Sequence, residues 1–418
     1  MSAPFSGDPL VTSDSRSDAD CAADRRGSPA PRAARRDDAA LVPPQFTVDG
    51  ETNERDWPLI TRAELDRVLA AYPRVGALAS LSWHSPRPFS AAVLATTESG
   101  AGVFVKRHHR SLRDVAGLEE EHRFMAHLRG HGVPVAEVLA DRHGRTASTH
   151  GDWTYEVHAA SPGVDAYRGV MSWKPFFHAS HAAAAGRMLA TLHRAAAGFD
   201  APARALRPLL TSFRVLSSPD LGGALEAWVA AQPRLARALE ARAWRDDVER
   251  VIGPFHRALV PWLDTLAPLW THGDWHASNL LWTSGEAGAQ VATVLDFGLA
   301  DRSCAVLDIA TAIERNMVDW LAPAGARRIE FEHLSALLDG YESILPLSGD
   351  AYQALAALLP IAHTEFALSE VEYFNGILSS PAGTEAAYDT YLVGHAQWFA
   401  GADGQRLLDA IRARRPGR

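Results

Sequence analysis

The stretch that decides the fold, Thr271–Gly298, has the sequence THGDWHASNLLWTSGEAGAQVATVLDFG. Asp274 and Asn279 lie five positions apart in its first part. Asp296 follows an apolar, strand-like run near its end and is itself followed by Phe-Gly. The segment between them joins two β-rich runs through Ser and Gly, which is typical of a hairpin. A hairpin would bring Asn279 and Asp296 together where its two strands meet the rest of the chain.

Two carboxylates and an amide in this order are what phosphoryl transfer from a nucleotide requires. Asp274 would orient the acceptor hydroxyl and take its proton. The amide oxygen of Asn279 and the carboxylate of Asp296 would hold Mg²⁺ against the phosphates, since Mg²⁺ prefers oxygen ligands. The spacing therefore predicts a kinase catalytic loop followed by a metal-binding turn.

The pentapeptide THGDW occurs a second time, at residues 149–153. That copy lies between two strand-forming runs, where Gly151 and Asp152 favour a hairpin turn. Nothing near it in the sequence has the spacing of a metal site. We therefore interpret the copy at residues 149–153 as a structural turn and place the chemistry in the copy at residues 271–275, at Asp274.

HGDWHASN followed by LDFG resembles the aminoglycoside phosphotransferase family of small-molecule kinases, which also includes choline kinases and type II homoserine kinases. The resemblance covers roughly residues 75–400. It implies an α+β, bilobal protein-kinase-like fold with a small β-rich N-terminal lobe and a larger helical C-terminal lobe. It also implies transfer of the γ-phosphoryl group of ATP, or of GTP, to a hydroxyl of a metabolite or antibiotic.

The resemblance requires a strand lysine that holds the donor phosphates and a helix glutamate that orients it. Lys106 ends the apolar run GVFVK and is one of two lysines in the chain. The following helix carries three glutamates, of which the family pattern indicates Glu121, with Glu120 as the alternative. We expect Lys106 and Glu121 to form this pair.

Two further segments are expected to contact the nucleotide. The loop at residues 82–91 contains no glycine, so Ser85 or Ser90 would donate a hydrogen bond to a phosphate. The strand that contains Glu156 and His158 would become the hinge between the lobes, where backbone groups bind the purine.

The resemblance also assigns supporting residues around the catalytic loop. His272 and Asp308 are expected to brace the loop, with Asp308 buried and hydrogen-bonded rather than catalytic. His276, two residues after the predicted base, would lie closer to the acceptor.

The acceptor itself stays open among aminoglycosides, homoserine-like and choline-like compounds, and sugars. The segment HTEFALSEVEYF carries Glu365, Glu370 and Glu372 among aromatic residues. Together with Glu314 and Asp319 these could bind an amine-bearing substrate. An amphipathic helix with a solvated acidic face explains the same pattern.

Composition limits the class of protein. The 418 residues carry a net charge of −9, which gives no indication of a nucleic-acid partner. No stretch reads as a signal peptide or as an apolar run long enough to cross a membrane. Two distant cysteines fit a reducing compartment, so we expect a cytoplasmic protein. The oligomeric state cannot be predicted.

The domain prediction follows from the change in composition along the chain. Residues 1–55 are predicted to form a disordered tail, because they are rich in Ser, Asp, Ala, Arg and Pro without periodicity. Residues 56–160 would form the nucleotide-binding lobe of strands around one helix. Residues 161–418 would form the helical lobe, with the catalytic loop at 271–282.

Local signals predict individual elements. Thr61 and Glu64 would form a capping box at the start of a short helix. The run FSAAVLATTESGAGVFVKRH predicts a hairpin that contains Lys106, and VPVAEVLAD predicts a further strand. In the helical lobe, one helix is expected over about 222–242.

Three other functions compete with a small-molecule kinase. A kinase-like protein that binds nucleotide without turnover would have the same fold, although every catalytic residue type is present here. A metallohydrolase could use the alternating His272, Asp274 and His276 as ligands, but it leaves Asn279 and LDFG without a role. A protein kinase would need an Ala-Pro-Glu segment after DFG, and the chain has none there.

Overall fold

Strands between residues 78 and 159 form an antiparallel five-stranded sheet, with the spatial order β3-β4-β5-β7-β6. The computed structural model describes residues 45–46, 52–53, 55–323 and 325–415. The strands of the sheet are β3 (Leu78–His84), β4 (Ala91–Thr97), β5 (Gly102–His109), β6 (Ala147–His150) and β7 (Trp153–Ala159). The predicted hairpin is confirmed as β4 and β5, which pair with Ala92 opposite Lys106.

The predicted disordered tail, residues 1–55, lies mostly outside the described residues. Its described parts are two short strands, β1 (Gln45–Phe46) and β2 (Thr52–Asn53), which pair antiparallel. The backbone N–H of Asp56 donates to the buried side chain of Gln45 at 2.9 Å. Ordered structure therefore begins before residue 56.

The two faces of the large sheet have different partners, because successive strand residues point to opposite faces. On one face, Val105 and Val157 pack with Leu65 of α1 (Arg62–Leu69) in a separate apolar core. On the other face, Lys106 and Glu156 lie opposite each other on β5 and β7. This second face meets α2 (Val115–Gly130) and the helical part of the chain.

Both α1 and α2 begin at a residue whose side chain caps the helix. Thr61 and Glu64 form the predicted capping box at the start of α1. Asp114 caps α2 by accepting a hydrogen bond from the backbone N–H of Gly117 at 2.7 Å. The buried side chains of α2, including Phe124 and Leu128, belong to the larger core that α2 shares with the helical part.

The helical part contains helices from α3 onward and one π-helical segment. These are α3 (Ala179–Ala196), α4 (Leu221–Ala230), α5 (Pro233–Leu239), α6 (Trp244–Val251), α7 (Gly253–Leu259), α8 (Ala305–Met317), α9 (Phe331–Glu342), α10 (Gly349–Leu358), α11 (Thr364–Gly376), α12 (Pro381–Glu385), the π-helix Ala386–Gly394, α13 (His395–Ala400) and α14 (Ala402–Arg412). The predicted helix over 222–242 is two helices, because Pro233 cannot continue α4 and instead begins α5.

Two glycines let α3 and α9 approach closely. A Cβ atom on Gly186 would lie 2.0 Å from the carbonyl oxygen of Leu337, and one on Gly340 would lie 2.2 Å from that of Ala183. No side chain fits at either position, so the alanine-rich α3 packs directly on the backbone of α9.

Two short strand pairs frame the catalytic loop. The predicted hairpin is confirmed as β9 (Leu280–Trp282) and β10 (Val291–Val294). A second pair, β8 (Pro268–Thr271) with β11 (Asp301–Cys304), was not predicted. The predicted strand VPVAEVLAD is wrong, since this segment makes only single bridges from Val135 and Val138.

One helical stretch, Gly349–Gly376, is long and apolar enough to cross a membrane by length and composition. The sequence analysis predicted no such stretch. Its whole apolar window is buried inside the fold, so the core of the helical part accounts for its apolar character.

Candidate active site

The catalytic loop begins with a glycine that no other residue could replace. Gly273 has φ +78°, and a Cβ atom there would lie 2.5 Å from the carbonyl oxygen of Leu299. The backbone N–H groups of His272 and Gly273 donate to the two carboxylate oxygens of Asp308, each at 2.9 Å. His193 lies 3.0 Å from the same carboxylate. The structure thus places Asp308 as a buried brace, as the sequence predicts.

The ring of His272 is engaged on both sides. Its Nδ1 accepts from the backbone N–H of Asp274 at 3.2 Å, and its Nε2 donates to the carbonyl oxygen of Leu295 at 2.9 Å. Neither nitrogen is available to a metal ion. The metallohydrolase interpretation, which needs His272 as a ligand, is therefore wrong.

The carboxylate of Asp274 is held by three neighbouring side chains. Arg315 donates to Oδ1 at 2.9 Å, while Asn279 donates to Oδ2 at 3.1 Å and His276 lies 3.3 Å from it. Burial alone would raise the pKa of Asp274, but the charges of His276 and Arg315 outweigh it and hold that pKa well below the usual range. The group is fixed, ionised and weakly basic, so it is better suited to orienting a hydroxyl than to removing its proton early.

Helix α8 holds the whole loop in place from one face. Asp308 binds the start of the loop and Arg315, seven residues later, binds Asp274. Asn316 accepts from the N–H of Ala277 at 3.0 Å and donates to the carbonyl oxygen of Trp275 at 3.0 Å. The sequence analysis missed Arg315 and Asn316. A spacing of about two helical turns from Asp308 is the signal that could have identified Arg315.

Lys106 and Asp296 form the centre of the donor site. Lys106 Nζ lies 2.7 Å from Asp296 Oδ1. Burial lowers the pKa of Lys106, but the charges of Asp296 and Glu156 raise it above the ordinary value, so the ammonium group is charged. Asp296 has φ +56°, a left-handed conformation that Asp and Asn tolerate better than most residues. This conformation places the carboxylate at the cavity.

The oxygen atoms at this position fit a divalent cation. Asn279 uses its NH₂ group to hold the carbonyl and carboxylate oxygens of Asp274, which leaves its own amide oxygen for a ligand. Asp296 engages Lys106 through Oδ1 and keeps Oδ2. An amide oxygen and a carboxylate oxygen side by side are suitable ligands for Mg²⁺.

Lys106 and Glu121 do not form the predicted direct ion pair, although the charge of Glu121 helps to raise the pKa of Lys106. Glu121 is buried and lies 3.3 Å from Nη2 of Arg204. The fully buried Arg204 in turn donates to the carbonyl oxygens of Gly298 and Ala300, at 3.2 and 3.0 Å. Glu121 therefore supports the turn after Asp296 through Arg204.

The predicted hinge contacts at Glu156 and His158 are also contradicted. The backbone there is already bonded, since Leu139 N–H donates to Val157 O at 2.7 Å and Ala159 N–H donates to Glu137 O at 2.9 Å. The Glu156 carboxylate faces the inner side of the sheet. It lies within 2.9 Å of Nε2 of three histidines, His108, His122 and His158. These side chains form a buried cluster, of which His108 lines the cavity and Glu156 and His158 do not.

The two candidate serines differ in position. Ser90 lines the cavity, as expected of a residue that donates a hydrogen bond to a phosphate. Ser85 does not, because its hydroxyl accepts from the backbone N–H of Arg87 at 3.2 Å within its own loop. Arg87 itself lines the cavity and donates to Ser172 Oγ at 2.9 Å. The sequence analysis missed Arg87.

These residues surround a cavity of about 130 Å³ between the sheet and the helical part. Lys106, Asp296 and Asn279 lie at its donor side, and Asp274 lies between them and an acceptor side that includes His276 and Glu370. The arrangement brings a fixed carboxylate, two oxygen ligands and the cationic side chains of Lys106, Arg87 and Arg315 to one cavity.

Of the acidic residues proposed for an acceptor, one lines the cavity. Glu370 has an oxygen, Oε2, without a hydrogen-bond partner in the described part of the chain. Glu365 accepts hydrogen bonds from Ser212 and from backbone N–H groups, including Val215 at 2.8 Å, so its predicted substrate role is wrong. The others have separate partners: Asp319 pairs with Lys174, Glu372 with Arg234 and Glu314 with two histidines.

We predict that Glu370→Gln changes how stability depends on pH. Burial, reinforced by Asp274 and Glu314, raises the pKa of Glu370 to about 8. Between the unfolded value and this one the folded state binds the extra proton, so wild-type stability should fall as pH rises through that window. Glutamine cannot ionise, so this loss is absent from the variant. Its free energy of unfolding relative to that of the wild type should rise by up to about 1.4 kcal/mol per pH unit in this window.

Urea unfolding at about pH 6 and about pH 9 measures this difference. The exposed Glu385→Gln variant is the matched control and should follow the wild-type profile. Parallel profiles for Glu370→Gln and wild type would show that Glu370 ionises normally in the folded protein.

A sheet and a helical part that meet at the predicted catalytic aspartate, the predicted Asn/Asp ligand pair and a strand lysine match the arrangement expected of a small-molecule kinase. The comparisons give the family. The Phosphotransferase enzyme family matches residues 87–347, more than half of the chain, and the protein belongs to this family. It is a phosphotransferase with an alcohol group as acceptor, and it uses a nucleotide and a divalent metal ion.

Individual relatives are more distant. The chain is 27% identical to a homoserine kinase of Gluconacetobacter diazotrophicus over 70% of this chain and 79% of that one. It is 25% identical to a homoserine kinase of Methylobacillus flagellatus, over 66% and 74%. Among solved structures, an amicoumacin kinase in complex with AMP-PNP, Ca²⁺ and Ami superposes with a TM-score of 0.53 at 14% identity, over 81% and 96% of the two chains. That similarity confirms the predicted fold.

Proposed function

We propose that this enzyme transfers the γ-phosphoryl group of ATP to the hydroxyl of an amino-acid-like alcohol, with homoserine as the first candidate. The observation that carries the proposal is the position of the Asp274 carboxylate, fixed between the donor site and the acceptor side of one cavity. Reducing conditions suit the free, buried Cys304 thiol, so we also propose that the enzyme works in the cytoplasm.

The donor side and the acceptor side share one cavity. Its polar lining supports an acceptor with both an amine and a carboxylate, since Glu370 and Arg87 both line it. Burial raises the pKa of Glu370 to about 8, so this carboxyl would ionise when an ammonium group binds beside it. A polycationic aminoglycoside would need several carboxylates, and the other predicted acidic residues are engaged elsewhere. The homoserine kinases among the relatives support the same choice.

The residues of the chain divide the work of the reaction. Lys106 would hold the donor phosphates, and Asn279 and Asp296 would hold Mg²⁺, which neutralises charge on the transferred group. Asp274 would align the acceptor hydroxyl and receive its proton as the new bond forms, as the loose transition state of phosphoryl transfer allows. Arg315 and His276 would keep that carboxylate in one orientation. Positioning and charge neutralisation would supply most of the rate.

Asp296→Asn should weaken the apparent affinity for Mg²⁺ by at least about tenfold, an amount comparable to the loss of a metal site's outer partners. Asparagine tolerates the positive φ at this position, so the change removes the charge while the backbone conformation is kept. Mg²⁺ dependence of turnover measures the effect. Unchanged Mg²⁺ dependence would remove Asp296 from the metal site.

An assay of ADP or GDP release with different acceptors tests the proposed function. L-homoserine, choline, a simple sugar and kanamycin should be compared with ATP and with GTP as donors. The proposal predicts the highest kcat/KM for homoserine with ATP. Highest activity with kanamycin would instead identify an antibiotic kinase, and release without any acceptor preference would contradict an amino-acid site.

A further inference from the structure

A second buried polar cluster lies behind the acceptor side of the cavity. Glu314 of α8, His363 before α11 and His395 at the start of α13 are 1%, 2% and 6% exposed. Nδ1 of His395 lies 2.9 Å from Glu314 Oε1, and Nδ1 of His363 lies 3.2 Å from the same oxygen. One ligand atom from each residue lies within 4.8 Å of the others. Three separate segments thus aim two imidazoles and a carboxylate at one point.

Both ring nitrogens of His363 face hydrogen-bond acceptors, but a neutral imidazole has only one N–H to donate. Its Nε2 lies 3.1 Å from the carbonyl oxygen of Leu392, which can only accept, so Nε2 carries the proton. A neutral imidazole has a single N–H, which leaves a lone pair on Nδ1 facing the Glu314 carboxylate. The oxygen that faces Nδ1 is Glu314 Oε1, at 3.2 Å. Two lone pairs at this distance repel each other unless a second proton on His363 or a metal ion lies between them.

The surroundings hold both rings in this orientation. Trp320 stacks on His395 with ring centroids 3.6 Å apart, and Tyr391 stacks on His363 at 5.0 Å. A backbone carbonyl on the far nitrogen, as Leu392 provides for His363, is the usual partner of a metal-bound histidine. The π-helix Ala386–Gly394 ends directly before His395, and such segments are frequent at functional sites.

We propose that Glu314, His363 and His395 bind a transition-metal dication of the zinc type. Two imidazole nitrogens and one carboxylate oxygen are zinc ligands, whereas Mg²⁺ and Ca²⁺ prefer oxygen alone. The site is distinct from the catalytic metal position at Asn279 and Asp296.

The bound ion would stabilise the wall of the acceptor cavity. Glu314 precedes Arg315, which holds Asp274, and His363 precedes α11, which carries Phe366 and Glu370 into the cavity lining. A metal ion would therefore join α8, α11 and α13 at the back of this wall. Its role is structural, because none of its ligands lines the cavity.

The other buried histidine cluster does not need a metal ion. His108, His122 and His158 all approach Glu156 through Nε2, and each can donate its single proton to the carboxylate. Every contact there is a donor facing an acceptor. This difference in proton balance selects the Glu314 cluster.

Zinc titration of the full-length protein tests the proposal. The protein is stripped with a chelator, and Zn²⁺ is titrated against a chromophoric chelator in excess Mg²⁺, which competes for the oxygen ligands of the catalytic site. The wild type should bind one zinc ion per chain. His395→Gln should weaken binding at least about 100-fold, since loss of a ligand costs no less than loss of an outer partner. The matched control His122→Gln, in the other cluster, should bind zinc like the wild type.

Co²⁺ in place of Zn²⁺ reports the geometry without any mutation. The wild type should show the intense visible absorption of tetrahedral Co²⁺, and His395→Gln should lose it. If His395→Gln does not fold, His363→Gln makes the same test. Absence of stoichiometric zinc binding by the wild type would leave a buried imidazolium–carboxylate pair and overturn the proposal. Loss of binding in His122→Gln with retention in His395→Gln would also overturn it.

Discussion

Asp274→Asn should lower kcat by about 10³-fold, within the roughly 10²–10⁴-fold that general acid–base groups contribute. Asparagine keeps the size of the side chain, so the loop should keep its shape. It removes the charge that orients the acceptor hydroxyl and the site that receives its proton. Nucleotide affinity should change little, because the donor phosphates are assigned to Lys106 and the metal ligands. Steady-state kinetics together with calorimetric titration of a non-hydrolysable nucleotide measure the two effects separately.

The duplicated pentapeptide supplies the matched control. Asp152 stands in the same THGDW sequence, but it lies in the β6–β7 turn and its exposed side chain pairs with Arg110 at 3.1 Å. Asp152→Asn should leave kcat at the wild-type value. An equal loss of turnover in the two variants, with both folded, would show that the second copy was chosen wrongly.

Asp308→Ala should destabilise the protein by about 3–5 kcal/mol, because it leaves buried donors without their acceptor at roughly 1–3 kcal/mol each. The change leaves the N–H groups of His272 and Gly273 unbonded and removes the carboxylate beside His193. Since Asp308 is completely buried, water cannot replace it without rearrangement. Urea unfolding of the variant measures the loss.

Asp319→Ala is the control for this prediction. Asp319 pairs with Lys174 at 2.7 Å, but both side chains are about one-third exposed, and such pairs contribute at most about 1 kcal/mol. Similar losses from the two variants would mean that Asp308 does not organise the catalytic loop.

Local signals in the sequence predicted the fold well. The capping box at Thr61 and Glu64, the hairpin into Lys106 and the β9–β10 hairpin each depend on residues close in sequence. The catalytic loop was identified for the same reason, since Asp274 and Asn279 lie within one short segment. The β8–β11 pair was not predicted, because its two strands lie on either side of the catalytic loop and are distant in sequence.

Long-range pairing could not be predicted from spacing. The partner of Lys106 depends on the strand register, and the partner of Glu121 depends on the position of Arg204 in the fold. Neither feature produces a pattern among residues that are close in sequence. A run of acidic residues likewise does not show which of them reaches a cavity. Glu365 and Glu370 are five positions apart on α11, yet one braces a loop and the other lines the cavity.

Product identification by phosphorus NMR tests the central claim most directly. The purified protein would be incubated with ATP, Mg²⁺ and L-homoserine, with the Asp274→Asn variant in parallel. The account predicts a new phosphomonoester resonance that grows in step with ADP and is absent with the variant. Release of inorganic phosphate in place of a phosphomonoester, or a phosphomonoester formed equally by Asp274→Asn, would contradict it.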